Sequence, residues 1–517
     1  SSATAADEIP TPVPPAATSD EFSEHAAESD AVSAPEPVGD YKLVLRILTV
    51  ATFIVILNET IMVNAIPQLM SSLHVTAHAA QWLSTAFMLT MAVVIPTTGW
   101  MLQRFERRAV FAAAMISFAL GTLLAAIAPN FGVILVGRIV QATGTAIMMP
   151  LLMTTVMTIV PLAERGRTMG NVSLAISVAP ALGPTTSGLI LQFASWRWLF
   201  LLVLPLAVVC GVIGFRLMPR SGSQAGGTLD FISIPFAAVG FGGLIYGMSQ
   251  FGGHTPGAEP VVDPWVAVIV GAACIAVLVW RQLRLARNGG APLMDLRALA
   301  SPGFGIAVAV MCIAMLAMMG TMILLPLWLQ DARGLSVLQA GLVMMPGGLM
   351  MGLLGPRVGR WYDRHGPRPL VVPGALIVTL ALSAGALAAT SAPWWVFIII
   401  HPLISFGLAL LFTPLFTAGL GALPVDLYSH GSAILGTFQQ VAAAAGRPFL
   451  RGAVGVAARA SQLLLQPLVL VGEGAVAVVG ARGLGVQPLP ALGRGDARLL
   501  GGRQFFAGLG ELVEGQK

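Results

Sequence analysis

A succession of apolar runs, each about 20 residues long and parted by short turns that are alternately rich and poor in arginine, constrains this chain more than any other feature. A helix of that length crosses about 30 Å of hydrocarbon. The runs lie near 45–69, 81–102, 109–128, 132–156, 170–191, 198–218, 230–250, 263–283, 303–329, 337–358, 369–389 and 394–420, and two more starting near 431 and 463 complete a set of fourteen. Only 10% of the 517 residues are charged and 56% are hydrophobic, whereas a chain that folds in water carries about 25% charged residues. Most of the surface therefore cannot face water, and the sequence predicts an all-α polytopic membrane protein embedded in a lipid bilayer.

The arginines set the expected orientation, because Lys and Arg are retained on the cytoplasmic side. Lys42 and Arg46 precede the first run, Arg104, Arg107 and Arg108 follow the second, Arg165 and Arg167 the fourth, and Arg357, Arg360, Arg364 and Arg368 the tenth. The intervening loops carry almost none, which predicts a cytoplasmic N-terminus. The same clustering makes the net charge of +5 a property of membrane loops and not of a nucleic-acid surface. Cys210, Cys274 and Cys312 lie singly inside apolar runs and indicate neither disulfides nor a metal site. The two lysines, Lys42 and Lys517, follow no phosphate-cradling loop, so no ATP hydrolysis, cofactor or enzyme chemistry is expected. Residues 1–42 are rich in Ala, Pro, Ser and acids without apolar periodicity and are predicted to be a disordered cytoplasmic tail.

Two observations give the runs an internal logic. Gly99, Arg104 and Arg108 after the second run recur with the same spacing as Gly359, Arg364 and Arg368 after the tenth, the mark of a transporter built from repeated halves. Glu59 sits near the middle of the first run, where a charge costs about 3 kcal/mol on insertion scales and usually marks an ion path or a buried partner. Taking up a proton removes that penalty, so Glu59 can load and release protons.

On these features the chain resembles the major facilitator superfamily and, within it, the fourteen-helix drug:proton antiporters of the EmrB/QacA type, over about residues 45–446. The loop signature G-x-x-x-D-R-x-G-R-[KR] is kept in the second copy by Gly359, Asp363, Arg364, Gly366 and Arg368, whereas the first copy has Gln103 in place of the acid and Glu106 in place of a glycine. The resemblance implies that this loop ties helix ends of the two halves together, with Gly99, Arg104 and Glu106 serving the first copy and Glu106 restoring a carboxylate nearby. Asn58, Glu59, Thr60, Asn64 and Pro67 are similar to the family's first-helix motif. Arg138, Gln141 and Gly144 match its fourth-helix signature, which implies that Arg138 modulates the proton affinity of Glu59; the alternative is a permanent helix clamp. Pro180, Gly183, Pro184 and Gly188 resemble the antiporter signature of the fifth helix, a stripe of small and kinking residues suited to a tight seam.

The expected architecture is the major facilitator fold: an N-terminal six-helix bundle over 43–220, two linker helices over 221–290 and a C-terminal bundle over 291–446. Asn58, Asn64, Gln141, Met148, Met315, Met319 and His401 are the candidates for a substrate cavity, the methionines because flexible thioethers suit varied ligands. From Arg447 to Lys517 the chain contains no Ile, Met, Thr, Asn, Trp, Tyr, Cys or His. That shift predicts an atypical tail read in a different frame, in which Arg447, Arg451 and Arg459 interrupt the thirteenth span. The implied function is proton-coupled export of amphipathic or hydrophobic compounds across the bacterial plasma membrane. Export of an endogenous metabolite, lipid or siderophore is the alternative within the fold, and a non-transporting sensor or inactive remnant the alternative outside it.

Overall fold

The structure, a computed structural model, describes residues 41–219, 230–251 and 262–460. Among them are thirteen α-helices: α1 (Tyr41–Leu73), α2 (Ala77–Arg104), α3 (Arg107–Ala126), α4 (Phe131–Ile159), α5 (Arg165–Phe193), α6 (Arg197–Leu217), α7 (Ser233–Phe251), α8 (Pro264–Arg287), α9 (Pro302–Leu327), α10 (Val337–His365), α11 (Arg368–Ser391), α12 (Phe397–Gly421) and α13 (Tyr428–Ala460). Local chemistry sets their ends. Asn130 accepts from the Val133 amide at 3.1 Å to start α4, Asp263 and Pro264 start α8, and Ser336 with Gln339 forms a reciprocal capping box at α10. Gly366, at φ +74°, ends α10 in a conformation that glycine adopts without strain.

Nine of the thirteen helices are long and apolar enough to cross a membrane. Of the other four, α7 is apolar but shorter, whereas α5, α10 and α13 are less apolar and pack against the opposite half of the molecule. The predicted fourteenth run and most of the atypical tail lie outside the described residues, as do residues 1–40. The backbone of α13 stays helical through positions 447, 451 and 459 to Ala460, in keeping with arginine as a good helix former.

The packing repeats. In the first half α3 packs on α4, α2 on α4, α1 on α4 and α1 on α5; in the second α11 packs on α12, α10 on α12, α9 on α12 and α9 on α13. The two halves meet through an equally paired set, α5 against α10 and α2 against α13. Glycines allow the close approaches. A Cβ added at Gly359 would strike the carbonyl of Gly166, and one added at Gly170 would strike that of Gly355.

Helices α7 and α8 form a hairpin that packs through α7 on α2 and α13. Arg281 closes the hairpin with two bonds to Asp230, Nε to Oδ2 at 2.8 Å and Nη2 to Oδ1 at 2.7 Å. The guanidinium holds the Asp230 carboxyl below its usual range. Buried Gln282 donates to Ser233 Oγ at 2.6 Å and accepts from the Met294 amide at 3.2 Å, fastening the segment that leads into α9.

Candidate functional site

Helix α4 carries an arginine in its second turn, and the fold buries it. Arg138 is 2% exposed, and a charge so placed demands hydrogen-bonding partners. Its Nη1 donates to Gln141 Oε1 at 2.5 Å and to Asn58 Oδ1 at 3.3 Å; Gln141 in turn donates to Thr122 Oγ1 at 2.7 Å. The ring of Phe87, from α2, lies 4.0 Å from the guanidinium, a cation–π contact that adds to its confinement. Glu59 lies within electrostatic reach of Arg138, but among the described residues the two form no ion pair. Asn58, one position earlier on α1 than Glu59, takes a hydrogen bond from the guanidinium.

The fifth-helix signature also resolves unevenly. A Cβ added at Gly183 would collide with Thr60, reaching its Cβ at 2.7 Å, whereas one added at Gly188 would meet nothing within 4 Å. The tight α1–α5 seam therefore lies at Gly183, where Thr60 Oγ1 also donates to the Ala179 carbonyl at 3.4 Å. Gly188 does not share in it because it stands beyond the crossing. Pro180 is partly buried. The side chains of Asn64, Pro67 and Pro184 fall outside the described residues.

At the arginine-bearing end the two copies of the loop signature differ in chemistry. The Asp363 carboxylate accepts from the amides of Gly166 and Arg167, both at 2.7 Å, and so caps the N-terminus of α5 across the two halves. Burial pushes this carboxyl above its usual range, against the pull of the two amides. In the first copy Gln103 donates its amide to the Asp426 carbonyl at 2.8 Å. Glu106 makes no side-chain cap bond at the start of α3, so it does not replace the missing acid there. A residue that sequence reasoning missed supplies a carboxylate instead: Asp295, 2% exposed, is paired with Arg297 at 2.6 Å beside His430. Burial pushes Asp295 up, but its bonds to Arg297 hold it below the usual range. His430 abuts Gly99, where an added Cβ would lie 2.7 Å from its Nδ1. Arg104 and Arg364 stand in the last turns of α2 and α10, and Arg368 opens α11.

Further bonds cross between the halves. Arg165 Nη1 donates to Tyr428 Oη at 3.3 Å, Thr154 and Ser432 share a hydrogen bond of 2.8 Å, and Thr413 donates to Ser173 at 2.9 Å. No motif announces these partners, which lie hundreds of residues apart. The substrate-cavity candidates scatter. Met148 is 1% exposed within the apolar core, and Gln141 is spent on Arg138. Met315 packs against the core, and Met319 backs the α9–α13 seam, 3.2 Å from a Cβ added at Gly446. His401 lies in the α10–α12 seam, where Gly347 makes room for its ring.

A family model described as Major Facilitator Superfamily matches residues 48–446. The lincomycin resistance protein LmrB of Listeria innocua is 36% identical over 397 residues, 77% of this chain and 83% of that protein. Its counterpart from Bacillus subtilis is 38% identical over 400 residues, with 77% and 82% covered. The solved structure of the proton:xylose symporter XylE bound to 6-bromo-6-deoxy-D-glucose aligns with a TM-score of 0.58 at 14% identity, covering 85% of this chain and 94% of that one. This last likeness is one of fold.

Proposed function

The chain belongs to the major facilitator superfamily, and from that premise we propose that it exports amphipathic or hydrophobic drugs across the bacterial plasma membrane in exchange for protons, by alternating access. It is a transporter and not an enzyme. The drug class is supported by relatives named for lincomycin resistance that share more than a third of their aligned residues with it. The arginine-bearing end, joined by Asp363, Arg165 and the Gly166–Gly359 approach, is the cytoplasmic end in this proposal. Its bonds are the ones that must break for substrate to enter.

The proton part rests on one observation, the placement of Glu59 beside Arg138 but out of ion-pair contact. A carboxyl committed to a buried ion pair has no reason to release its partner, whereas one whose neighbouring cation is held by Asn58 and Gln141 can gain and lose a proton. The proton neutralises a membrane-embedded charge, and its loss restores one. Substrate and proton then compete through the charge state of a single region of α1 and α4.

Dye efflux in inverted vesicles under an imposed pH gradient tests this. The intact protein drives uptake when the lumen is acidic, and Glu59→Gln abolishes the dependence on the gradient. Unchanged gradient-driven transport in the variant removes Glu59 from the mechanism.

A further inference from the structure

The packing repeat sets a residue-level register between the halves. Gly144 of α4 lies against Ala114 and Phe118 of α3, and Gly407 of α12 lies in the same way against Gly374 and Val378 of α11. Six residues before Gly144 stands Arg138; six residues before Gly407 stands His401. Helices α2 and α10 are registered independently by Gly99 and Gly359, and twelve residues before these stand Phe87 and Gly347. The two registers agree in space. Phe87 covers Arg138 in the α2–α4 seam, and Gly347 abuts His401 in the α10–α12 seam.

His401 is thus the positional counterpart of the arginine in the candidate site, and its chemistry is left incomplete. It is 9% exposed, and its Nδ1 has no hydrogen-bond partner; the Met344 backbone lies near the ring. Buried polar atoms without partners are rare and call for an explanation. Among the described side chains no charged group acts on the ring; the side chain of Asp331, in the turn after α9, lies outside them. Helix α9 has no charged residue, α12 has none besides His401, and α11 has only Arg368 at its far end. The charges of α10 begin at Arg357, and those of α5 are Arg165 and Arg167, both in the arginine-bearing region. The 3₁₀ turn Trp394–Val396 has none, and Arg333, near the same end as His401, binds the carbonyls of Ala389 and Ala392.

Pro402 follows directly. A proline inside a helix removes one backbone hydrogen bond and allows a bend, so the outer turn from Phe397 to His401 can swing without disturbing the rest of α12. We propose that His401 is a second proton-coupling residue, at which binding of a proton to Nδ1 and the swing of the outer turn of α12 away from Gly347 are one equilibrium, a role that presupposes the proton exchange proposed above. With the seam closed the imidazole is neutral, because it is buried against Gly347 and no carboxylate among the described side chains faces it. With the outer turn swung away, Nδ1 meets water and takes a proton from it; closure returns that proton to water. One proton binds and one leaves, and no bond between heavy atoms changes.

Spin labels on the exposed residues Leu342 of α10 and Ile399 of α12 report the seam in the full chain, in nanodiscs, by electron–electron double resonance. Acidification lengthens the distance in the otherwise intact protein through a one-proton transition. His401→Gln keeps the short distance at every pH, and His401→Arg the long one. A distance insensitive to pH in the intact protein, or the same transition in His401→Gln, overturns the assignment. Because the readout needs no transport, failure of proton-driven efflux with a His401-dependent transition would reject the exchange proposed above and with it the coupling role, leaving only a proton-linked swing of α12, whereas intact efflux with no such transition would reject only the role of His401.

Discussion

Arg138 gives its Nη1 to Asn58 and not to Glu59, although the two candidates are adjacent in α1. The consequence is a guanidinium anchored by neutral acceptors and a carboxyl that forms no ion pair among the described residues. Replacing Asn58 by alanine removes one acceptor from a buried charge, a loss of about 1.5–3 kcal/mol. Glu59 is then the nearest anion to replace it. The expected outcome is a lower melting temperature together with a larger loss of gradient-driven efflux, since the carboxyl is drawn into a standing ion pair. Asn58→Asp, which supplies a competing carboxylate outright, restores stability and leaves transport defective. Melting and vesicle efflux on the same preparations check both.

The α1–α5 seam makes a paired prediction. Gly183→Ala drives a methyl group into Thr60, and overpacking of this kind costs about 1–3 kcal/mol; Gly188→Ala meets open space. The first variant should melt earlier and leak protons in a passive pH-collapse assay, and the second should match the parent in both. Equal behaviour of the two would mean that the signature acts through something other than close approach.

At the arginine-bearing end, Asp363→Asn halves the acceptor capacity facing the α5 amides and removes the charge that favours that helix terminus, a loss of about 1 kcal/mol. Labels on Arg167 and Arg364 should then show a broader distance distribution. Restoring the family acid in the first copy has the opposite of the expected benefit. Gln103→Asp removes the donor that reaches the Asp426 carbonyl and aims a carboxylate at an oxygen, so that variant should be less stable than the parent by melting.

How much of this was legible beforehand follows from the range of each interaction. The apolar runs, the repeated loop and the buried Arg138 announce themselves through spacing along one helix, and the fold class follows from them. Gly183 and Gly188 look alike in sequence because a helix crossing touches only one turn, and which turn is a property of the angle between two helices. Asp295 carries no motif; it comes beside His430 because the segment leading into α9 packs on α13, a contact between residues far apart in the chain. Met148 has the chemistry of a cavity residue, but the fold packs it into the apolar core. The place of His401 opposite Gly347 follows from the glycine crossings between helices and not from spacing along α12.

The linker hairpin has an acid sensitivity of known sign. Arg281 holds the Asp230 carboxyl below its ordinary value of 3.8, so the contribution of this pair to stability is full above that value and is lost as the pH falls through the lower, folded value. Asp230→Asn should therefore melt below the parent at neutral pH, and the gap should close on acidification well below 3.8. A gap that stays constant with pH would assign the difference to packing.

The same hairpin reaches the seam between the halves through Gln282. Its side chain is 1% exposed and bonds at one end to Ser233 and at the other to the Met294 amide. The carbonyl of Leu293, one residue earlier, lies 3.2 Å from a Cβ added at Gly99, beside His430. The hairpin is therefore linked to the α2–α13 contact through the single peptide group between Leu293 and Met294. Gln282→Ala strands the Met294 amide in a buried position, a penalty of about 1–3 kcal/mol, and frees the segment from Leu293 to Arg297. If α2 and α13 must part for the arginine-bearing end to open, the loosened segment should speed that opening. Thiol labelling of a cysteine placed at Gly99 should then be faster in Gln282→Ala than in the parent, with Gln282→Glu intermediate because it keeps the acceptor for Met294. Identical labelling rates in all three would confine the hairpin to a stabilising role.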